Sequence, residues 1–491
     1  MPSKPMTLRA LLLACACATL TSGCTLGPDF QRPDAPGNTG YGMAGDHGLT
    51  PDVKLGTSPA GAWWRAFGSR RLNLTVEQAL AGSTTLVEAR AALAEAQAGL
   101  AQANGGRVPS LDLNAGAQRE RLNLASFGFG GGLPGFSNNP EFSLYSVGAS
   151  AAYPLDTFGG LRREVEAATA RREVAAHEAD AAALALTGQV AAQAAAIAAL
   201  SAEIAALDDV AKEDAHTLAL VRKARAAGGV GEGQVGQAEA QGAADAALLP
   251  PLRQQLAAAR HALAVLVGHA PADWTAPDFT LDDFRLPSAL PVSLPSQLVR
   301  KRPDILAAEA RLHAANAEVG VATANQYPSL SLTAALTQSA LKPGDVFDTP
   351  ATAYTLGAGL TAPLFDGGRR RAARRAALAR AEAAEARYRG SVAAAFGQVA
   401  DLLEALGHDD ERLMAQTEAV AAAEKSLRLA RLAYQAGGTG VLPVIDAERS
   451  WQTARRALIA AHAQRIGEVI GLYVATASDW TASSAPMPSA R

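Results

Sequence analysis

Asp446 and Arg449 stand three residues apart, just after the glycine-rich run Gly437-Gly438-Thr439-Gly440. On a helix that spacing places a carboxylate and a guanidinium on one face, where they can pair with each other or latch onto a neighbouring helix. Other chemistry-bearing groups are less well placed. Gly130, Gly132 and Gly135 have the spacing of a dinucleotide-phosphate loop, but Pro134 interrupts it and strand-like sequence follows where a helix is required. His408-Asp409-Asp410-Glu411 offers metal-ligand types, yet consecutive residues of a helix point in different directions, as on a solvated face. His313, Glu309 and Glu318 read as another helix-surface set. No Ser/His/Asp or Cys/His arrangement has a recognisable catalytic spacing. The three cysteines all fall within the first 24 residues, so the rest of the chain holds no disulfide framework. A formal net charge of −3 leaves no basic footprint for nucleic acid. These groups are suited to holding surfaces together and offer no centre for catalytic turnover.

The last cysteine has its own setting. Lys4 and Arg9 precede an apolar run over residues 10–20, and Thr21-Ser22-Gly23-Cys24 closes it. This is the pattern of a secretory signal ending at a lipobox, where cleavage exposes a cysteine for acylation. Residues 1–23 are therefore read as a lipoprotein signal peptide and Cys24 as the lipidated N-terminus. Residues 181–202 carry no charge and are long enough to span a bilayer, but Gln189, Gln193, Ser201 and many alanines suit the wall of a helical assembly better.

The elements that position these groups occur twice. Residues 86–109 align without gaps on 305–328, pairing Leu93 with Leu312 and Pro109-Ser110-Leu111 with Pro328-Ser329-Leu330. Further on, Pro154-Leu155 matches Pro363-Leu364, and Gly228-Gly229 matches Gly437-Gly438. A fixed-period self-match means tandem duplication. The first repeat is read as residues 75–268: a helix to 106, strands at about 109–121 and 142–155, a long helix over 159–228 and a helix over 233–268. The second is read as 295–477: a helix to 326, strands at about 328–340 and 351–364, a long helix over 368–436 and a helix over 441–477. A Pro-rich linker, 269–294, joins them; residues 24–74 and 478–491 flank them.

In the strand segments Leu330, Leu332 and Ala334 alternate with Ser329, Ser331 and Thr333. That period of two fits a strand with lipid on one side and water on the other. Four such strands leave open edges, so a membrane role demands several chains. In the second long helix Val392, Val399, Leu406, Leu413, Val420, Leu427 and Tyr434 recur every seventh residue, the signature of left-handed supercoiling against neighbours. A helix of about 70 residues is about 105 Å long. The two shorter helices of each repeat, end to end, match that length, which makes a wall of helices. Pro250-Pro251 breaks the symmetry: its counterpart is Ile459-Ala460, and interior prolines should kink or end the helix.

Several motifs in this order resemble the TolC-like outer-membrane factors, in particular the lipidated OprM/NodT group of efflux ducts. They are Gly27-Pro28-Asp29-Phe30 after Cys24, Trp63-Trp64 with Phe67 and Leu72, Lys301-Arg302-Pro303-Asp304 continuing to Tyr327-Pro328-Ser329-Leu330, and Pro363-Leu364-Phe365-Asp366-Gly367-Gly368. The resemblance implies a mainly α, tandem-repeat fold and a homotrimer with a twelve-stranded outer-membrane β-barrel continued by a periplasmic α-helical barrel. It implies a passive exit duct, fed by a periplasmic adaptor and an inner-membrane RND-type transporter, with no cofactor beyond the lipid on Cys24. It places the linker in a belt around the duct and an outer-membrane lipid anchor at the N-terminus. It assigns Leu442, Asp446 and Arg449 to a periplasmic constriction, whose first-repeat counterparts are Gly233, Gln237 and Ala240, and Gly228, Gly229, Gly437, Gly438 and Gly440 to tips that meet the adaptor. A type I secretion duct and a coiled-coil envelope lipoprotein without a pore are the alternatives; the former fits the Lys-Arg-Pro-Asp block poorly, and the latter leaves the strands unexplained.

Overall fold

The computed structural model describes residues 25–37, 39–46, 50, 52–123 and 139–476. The signal segment, Cys24, the Gly130–Gly135 triplet and the C-terminal tail lie outside the described residues. In chain order the elements are β1 (Val53–Leu55), α1 (Arg70–Gly82), α2 (Thr84–Gly105), β2 (Ser110–Arg121), β3 (Glu141–Leu155), α3 (Gly160–Ala226), α4 (Glu232–Ala246), α5 (Leu249–Val267), β4 (Leu290–Val292), α6 (Pro295–Lys301), α7 (Pro303–Ala324), β5 (Ser329–Ala340), β6 (Thr352–Thr361), α8 (Arg369–Gln435) and α9 (Leu442–Thr476).

The alternating segments form one antiparallel sheet in the order β2-β3-β5-β6. Its register decides which face each side chain takes. Leu113 pairs with Ala149, Ala149 with Leu336 and Leu336 with Tyr354, so the apolar residues of all four strands line up on one face. Leu113, Tyr354 and Leu356 on that face are 81%, 78% and 76% exposed. The opposite face carries Asp112, Asn114, Ser150, Ser331, Thr333 and Thr355, and the Asn114 amide donates to the Ser150 hydroxyl at 3.1 Å. Strands β2 and β6 each have one unpaired edge among the described residues. The last strand ends at Thr361, short of the expected residue 364. Pro363 has no N–H for a ladder, and the turn that follows uses positive φ at Gly367 and Gly368.

Three helices read as single spans are divided, each for an identifiable reason, the third of them beside Pro250-Pro251 where a break was expected. The first breaks at Ser83, between α1 and α2. There the end of α1 abuts the end of α5 so closely that a Cβ on Gly268 would lie 2.0 Å from the Gly82 carbonyl oxygen. The helix expected over 295–326 breaks at Arg302, which takes an extended conformation because Pro303 follows it. The helix expected over 233–268 breaks at Ala247–Leu248, and Pro250-Pro251 sit in the first turn of α5, where a missing N–H has no helical partner to lose. Its counterpart α9 runs unbroken for 35 residues. Both long helices, α3 and α8, have 67 residues.

The described residues form two compact units. One (to Arg32, with 94–173 and 309–387) contains the four-stranded sheet. The other (33–93, 174–308 and 388–476) contains the main apolar core. In that core Trp63 stacks on Tyr473 with ring centroids 5.6 Å apart, and its indole N–H donates to the Thr187 hydroxyl at 3.2 Å. Residues 181–202 lie within it: Leu186, Val190, Ala194 and Ile197 are buried. Small side chains let the helices close up, and a Cβ on Gly188 would come within 2.6 Å of Val474. Val392, Val399, Leu406 and Leu427 of the heptad stripe are buried, whereas Leu413 and Val420 are only partly so. The Pro-rich linker contributes β4, which pairs in parallel with β1.

Candidate functional site

The N-terminal segment is fixed by a buried arginine. Arg163 of α3 donates to Asp29 at 2.6 Å, to Glu166 at 2.7 Å and to the Leu26 carbonyl at 3.2 Å. Charge-assisted bonds of this kind are about twice as strong as neutral ones. Gly27 has a φ of 97°, and a Cβ there would lie 2.5 Å from the Gly320 Cα, so two glycines let the segment lie directly on α7. Phe30 stacks on His313 at 4.4 Å, and Arg32 pairs with Glu309 at 2.6 Å. His313 also contacts Glu166 at 3.0 Å and so serves packing. The Gly-Pro-Asp-Phe segment is thus a docking sequence for α3 and α7.

The strand-to-helix handover is capped by carboxylates in both repeats. Asp156 accepts from the Leu161 and Arg162 amides, and Asp366 accepts from those of Gly368 and Arg370. Each cap satisfies N–H groups that a helix start leaves unpaired. These bonds hold the Asp366 carboxyl below its usual range. Arg302, in the Lys-Arg-Pro-Asp block, ties three pieces together: Asp304 at 2.8 Å, Gln398 at 2.7 Å and the Ala475 carbonyl at 3.2 Å. The four side chains of His408-Asp409-Asp410-Glu411 do not converge on one point: Asp409 pairs with Arg412, Asp410 with Arg465, and His408 lies between Glu404 and Glu411.

At the far ends of α3 and α8 the two glycine pairs make the same turn. Gly228 and Gly437 have φ values of 77° and 74°. Gly229 N–H reaches the Ala224 carbonyl and Gly438 N–H reaches that of Ala433, both at 2.9 Å, the bonds that close a Schellman turn. Val221, Val235, Val441 and Ile445 pack beneath these turns. Leu442 opens α9 and is half exposed. Asp446 is exposed, and among the described residues it enters no ion pair. Arg449 does not pair with Asp446; it crosses to α4 and donates to the Gln241 side-chain oxygen at 2.7 Å.

Beyond Gln241 lies a polar cluster that joins four helices. The Gln241 amide donates to Asp245 at 2.8 Å, and Gln452 of α9 donates to the same carboxylate at 3.3 Å. Arg431 of α8 bridges Glu213 of α3 at 2.6 Å and Glu448 of α9 at 2.9 Å. Thr217 donates to Glu448 at 3.2 Å. Asp214 is buried beside these groups. Burial, reinforced by the charges of Asp245, Glu448 and Glu213, raises its pKa to about 7.

This architecture meets known proteins at one place. The family model described as outer membrane efflux protein matches residues 75–269 and 294–478. The chain belongs to that family. This efflux channel has the TolC-like tandem-repeat fold and is a passive outer-membrane conduit, not an enzyme, that extends into the periplasm and works in a tripartite pump with an adaptor and an inner-membrane transporter. The pyoverdine export outer membrane protein OpmQ of Pseudomonas aeruginosa is 33% identical over 97% of this chain and 98% of its own length. Outer membrane protein OprJ of the same organism is 29% identical, covering 96% of this chain and 95% of that protein. The solved outer-membrane channel OprN superposes with a TM-score of 0.85 at 29% identity, over 93% of this chain and 100% of that one.

In the efflux channel Asp446 and Arg449 do not pair with each other: Arg449 reaches the neighbouring α4, and Asp446 stays on the exposed face of α9. Gln241, Asp245, Asp214, Glu448 and Arg431 escaped the sequence reading. Their signal was the four-residue spacing of Gln241 with Asp245 and of Glu448 with Gln452, polar pairs on faces where a supercoiled helix should be apolar.

The cluster makes stability depend on pH. Folded, the Asp214 carboxyl keeps its proton to about pH 7, whereas its ordinary value is 3.8. The folded state therefore binds the extra proton between those values, and the stabilising contribution is full below the lower one and declines as pH rises to the upper. Asp214→Asn, a permanent mimic of the neutral form, should flatten the fall in melting temperature between pH 5 and pH 8. Equal slopes for variant and parent would show that this carboxyl does not titrate there.

Proposed function

We propose that three copies of the chain join their sheets edge to edge into a closed twelve-stranded barrel in the outer membrane, the duct through which an efflux pump discharges drugs or other small molecules. The observation that carries this is the sheet itself: one face with an exposed apolar band through Leu111, Leu113, Leu336, Tyr354, Leu356 and Leu360, one polar face and, among the described residues, two open edges. In hydrocarbon an unpaired backbone edge costs several kcal/mol per group, and only closure with other copies removes it. In this reading Cys24 carries the acyl anchor, and the docked segment from Thr25 to Arg32 leads from it along the outside of the wall. The transporter is of the RND type, and the adaptor grips the Gly228-Gly229 and Gly437-Gly438 tips together with Gly440. Leu442, Asp446 and Arg449 form the resting constriction, with the Arg449–Gln241 bond holding α9 against α4.

Edge pairing is tested by a cysteine scan. Asp112→Cys and Asn114→Cys on β2 are each combined with Thr355→Cys, Gly357→Cys or Gly359→Cys on β6. At least one combination should give covalent trimers on oxidation, whereas the single variants give none. If every pair stays monomeric on denaturing gels, the strands do not meet between copies.

A further inference from the structure

At the end of the sheet where strands hand over to helices there is a cavity of about 1030 Å³, lined by parts of α3, α7 and α8 and by the Ser329 and Thr361 pair of the polar sheet face. Four arginines line it: Arg171 of α3, with Arg369, Arg370 and Arg380 of α8. Three acids, Asp156, Glu164 and Glu318, also line it, and two of them are occupied. Asp156 caps α3, and Glu318 is shared by Arg171 at 2.5 Å and Arg380 at 3.9 Å. Arg369 is exposed and enters no ion pair among the described residues.

The cavity sits at the end of the sheet, touching Ser329 and Thr361 of the polar face and Leu155 and Leu330 of the apolar one, so α7 decides which side of the wall it opens on. On α7 the N-terminal segment covers the face bearing Glu309, His313 and Gly320, while Glu318, Val321 and Asn325 lie on the opposite face of the helix and line the cavity. The cavity therefore opens on the inner side of the duct. The arginines also oppose local stability. Residues 369–380 hold six arginines and no acid, and the first three begin a helix, where the macrodipole disfavours cations. The corresponding start of α3 has Gly160 and Leu161 in place of Arg369 and Arg370. Duplication alone does not account for the charge.

We infer that this cavity binds small oxyanions (carboxylate, phosphate or sulfonate groups) and is a waypoint for anionic cargo inside the duct. Guanidinium forks match such groups in geometry as well as charge. With three copies around one axis, the sites form a basic ring at the entrance to the barrel, which raises the local concentration of anions passing through it. The inference rests on the trimeric duct reading, which sets which side is inner.

Pyranine, a trisulfonated pyrene dye, serves as the probe, titrated by fluorescence anisotropy against the purified trimer in a non-ionic detergent, with the trimer mass checked for every variant. Saturable binding that weakens with salt is expected. Arg369→Gln combined with Arg380→Gln should weaken it about tenfold or more, as loss of charge-assisted bonds implies. Arg375→Gln, which lies outside the cavity, should change it little. Arg369→Gln alone removes no ion pair and keeps the test open if the double variant does not assemble. The source of the anion is separated by repeating the titration in nanodiscs: an affinity unchanged by anionic lipid supports a soluble ligand, and its loss on adding such lipid assigns the arginines to headgroups and overturns the inference. It is equally overturned if an intact trimer shows no saturable binding or if Arg375→Gln weakens binding as much as the double variant. Failure to form any trimer would instead sink the duct reading.

Discussion

Replacing Leu442, Asp446 and Arg449 together with alanine is expected to raise the single-channel conductance of the protein in planar bilayers above that of the parent. Three mechanisms contribute unequally. The Arg449–Gln241 bond spans two helices at 2.7 Å, and a hydrogen bond to a charged group contributes about 1.5–3 kcal/mol. Each 1.4 kcal/mol is about a factor of ten, so losing this bond should raise the open fraction by about tenfold or more. Leu442 acts differently: half-exposed apolar side chains brought together near an axis gate by excluding water, and removing them opens the residual passage. Asp446, exposed and outside any ion pair of the described residues, should contribute least on its own. The structure adds a discriminating variant: Gln241→Ala removes the acceptor and should leak as Arg449→Ala does, while Gln237→Ala, the first-repeat counterpart of Asp446, should leak less. If the triple variant conducts no better than the parent, these residues are surface groups and the constriction lies elsewhere.

An equally large effect is expected on the membrane side. Leu356 lies in the middle of β6 on the apolar face and is 76% exposed. An arginine at the midplane of the lipid face costs about 2–4 kcal/mol per chain, and a trimer carries three. Leu356→Arg should abolish the detergent-resistant assembly and its recovery from the outer membrane. Thr355→Arg, one residue earlier and on the polar face, should leave assembly intact. Equal assembly of the two variants would mean that the sheet does not present this face to lipid.

Much of this was legible in the residues because the periods are physical. Alternation at Leu330, Leu332 and Ala334 put β5 and its apolar face where the structure has them, and the heptads from Val392 onward marked α8. The glycine pairs at 228 and 437 announced turns that need positive φ. What stayed hidden depends on contacts distant in sequence. Nothing around Ser83 shows that Gly82 will meet Gly268, and the three-residue pairing of β1 with β4 is too short to carry a pattern. The Arg302 block was recognised by resemblance, but its reason, one guanidinium joining the turn before α7 to α8 and α9, is visible only in three dimensions. The polar cluster was missed because a heptad reading looks for apolar residues at packed positions, whereas here Asp214, Gln241 and Glu448 occupy them. Arg449 was read as reaching a neighbouring helix; the packing of α4 beside α9, which supplies Gln241 as its partner, is not visible in the spacing.

The central claim is that this chain becomes a channel only as a closed assembly of three. Native mass spectrometry of the protein extracted from outer membranes in mild detergent tests it most directly. The account predicts a single species of three chains whose β-sheet signal disappears when the assembly is dissociated. A stable monomer that keeps its β-sheet signal would contradict it.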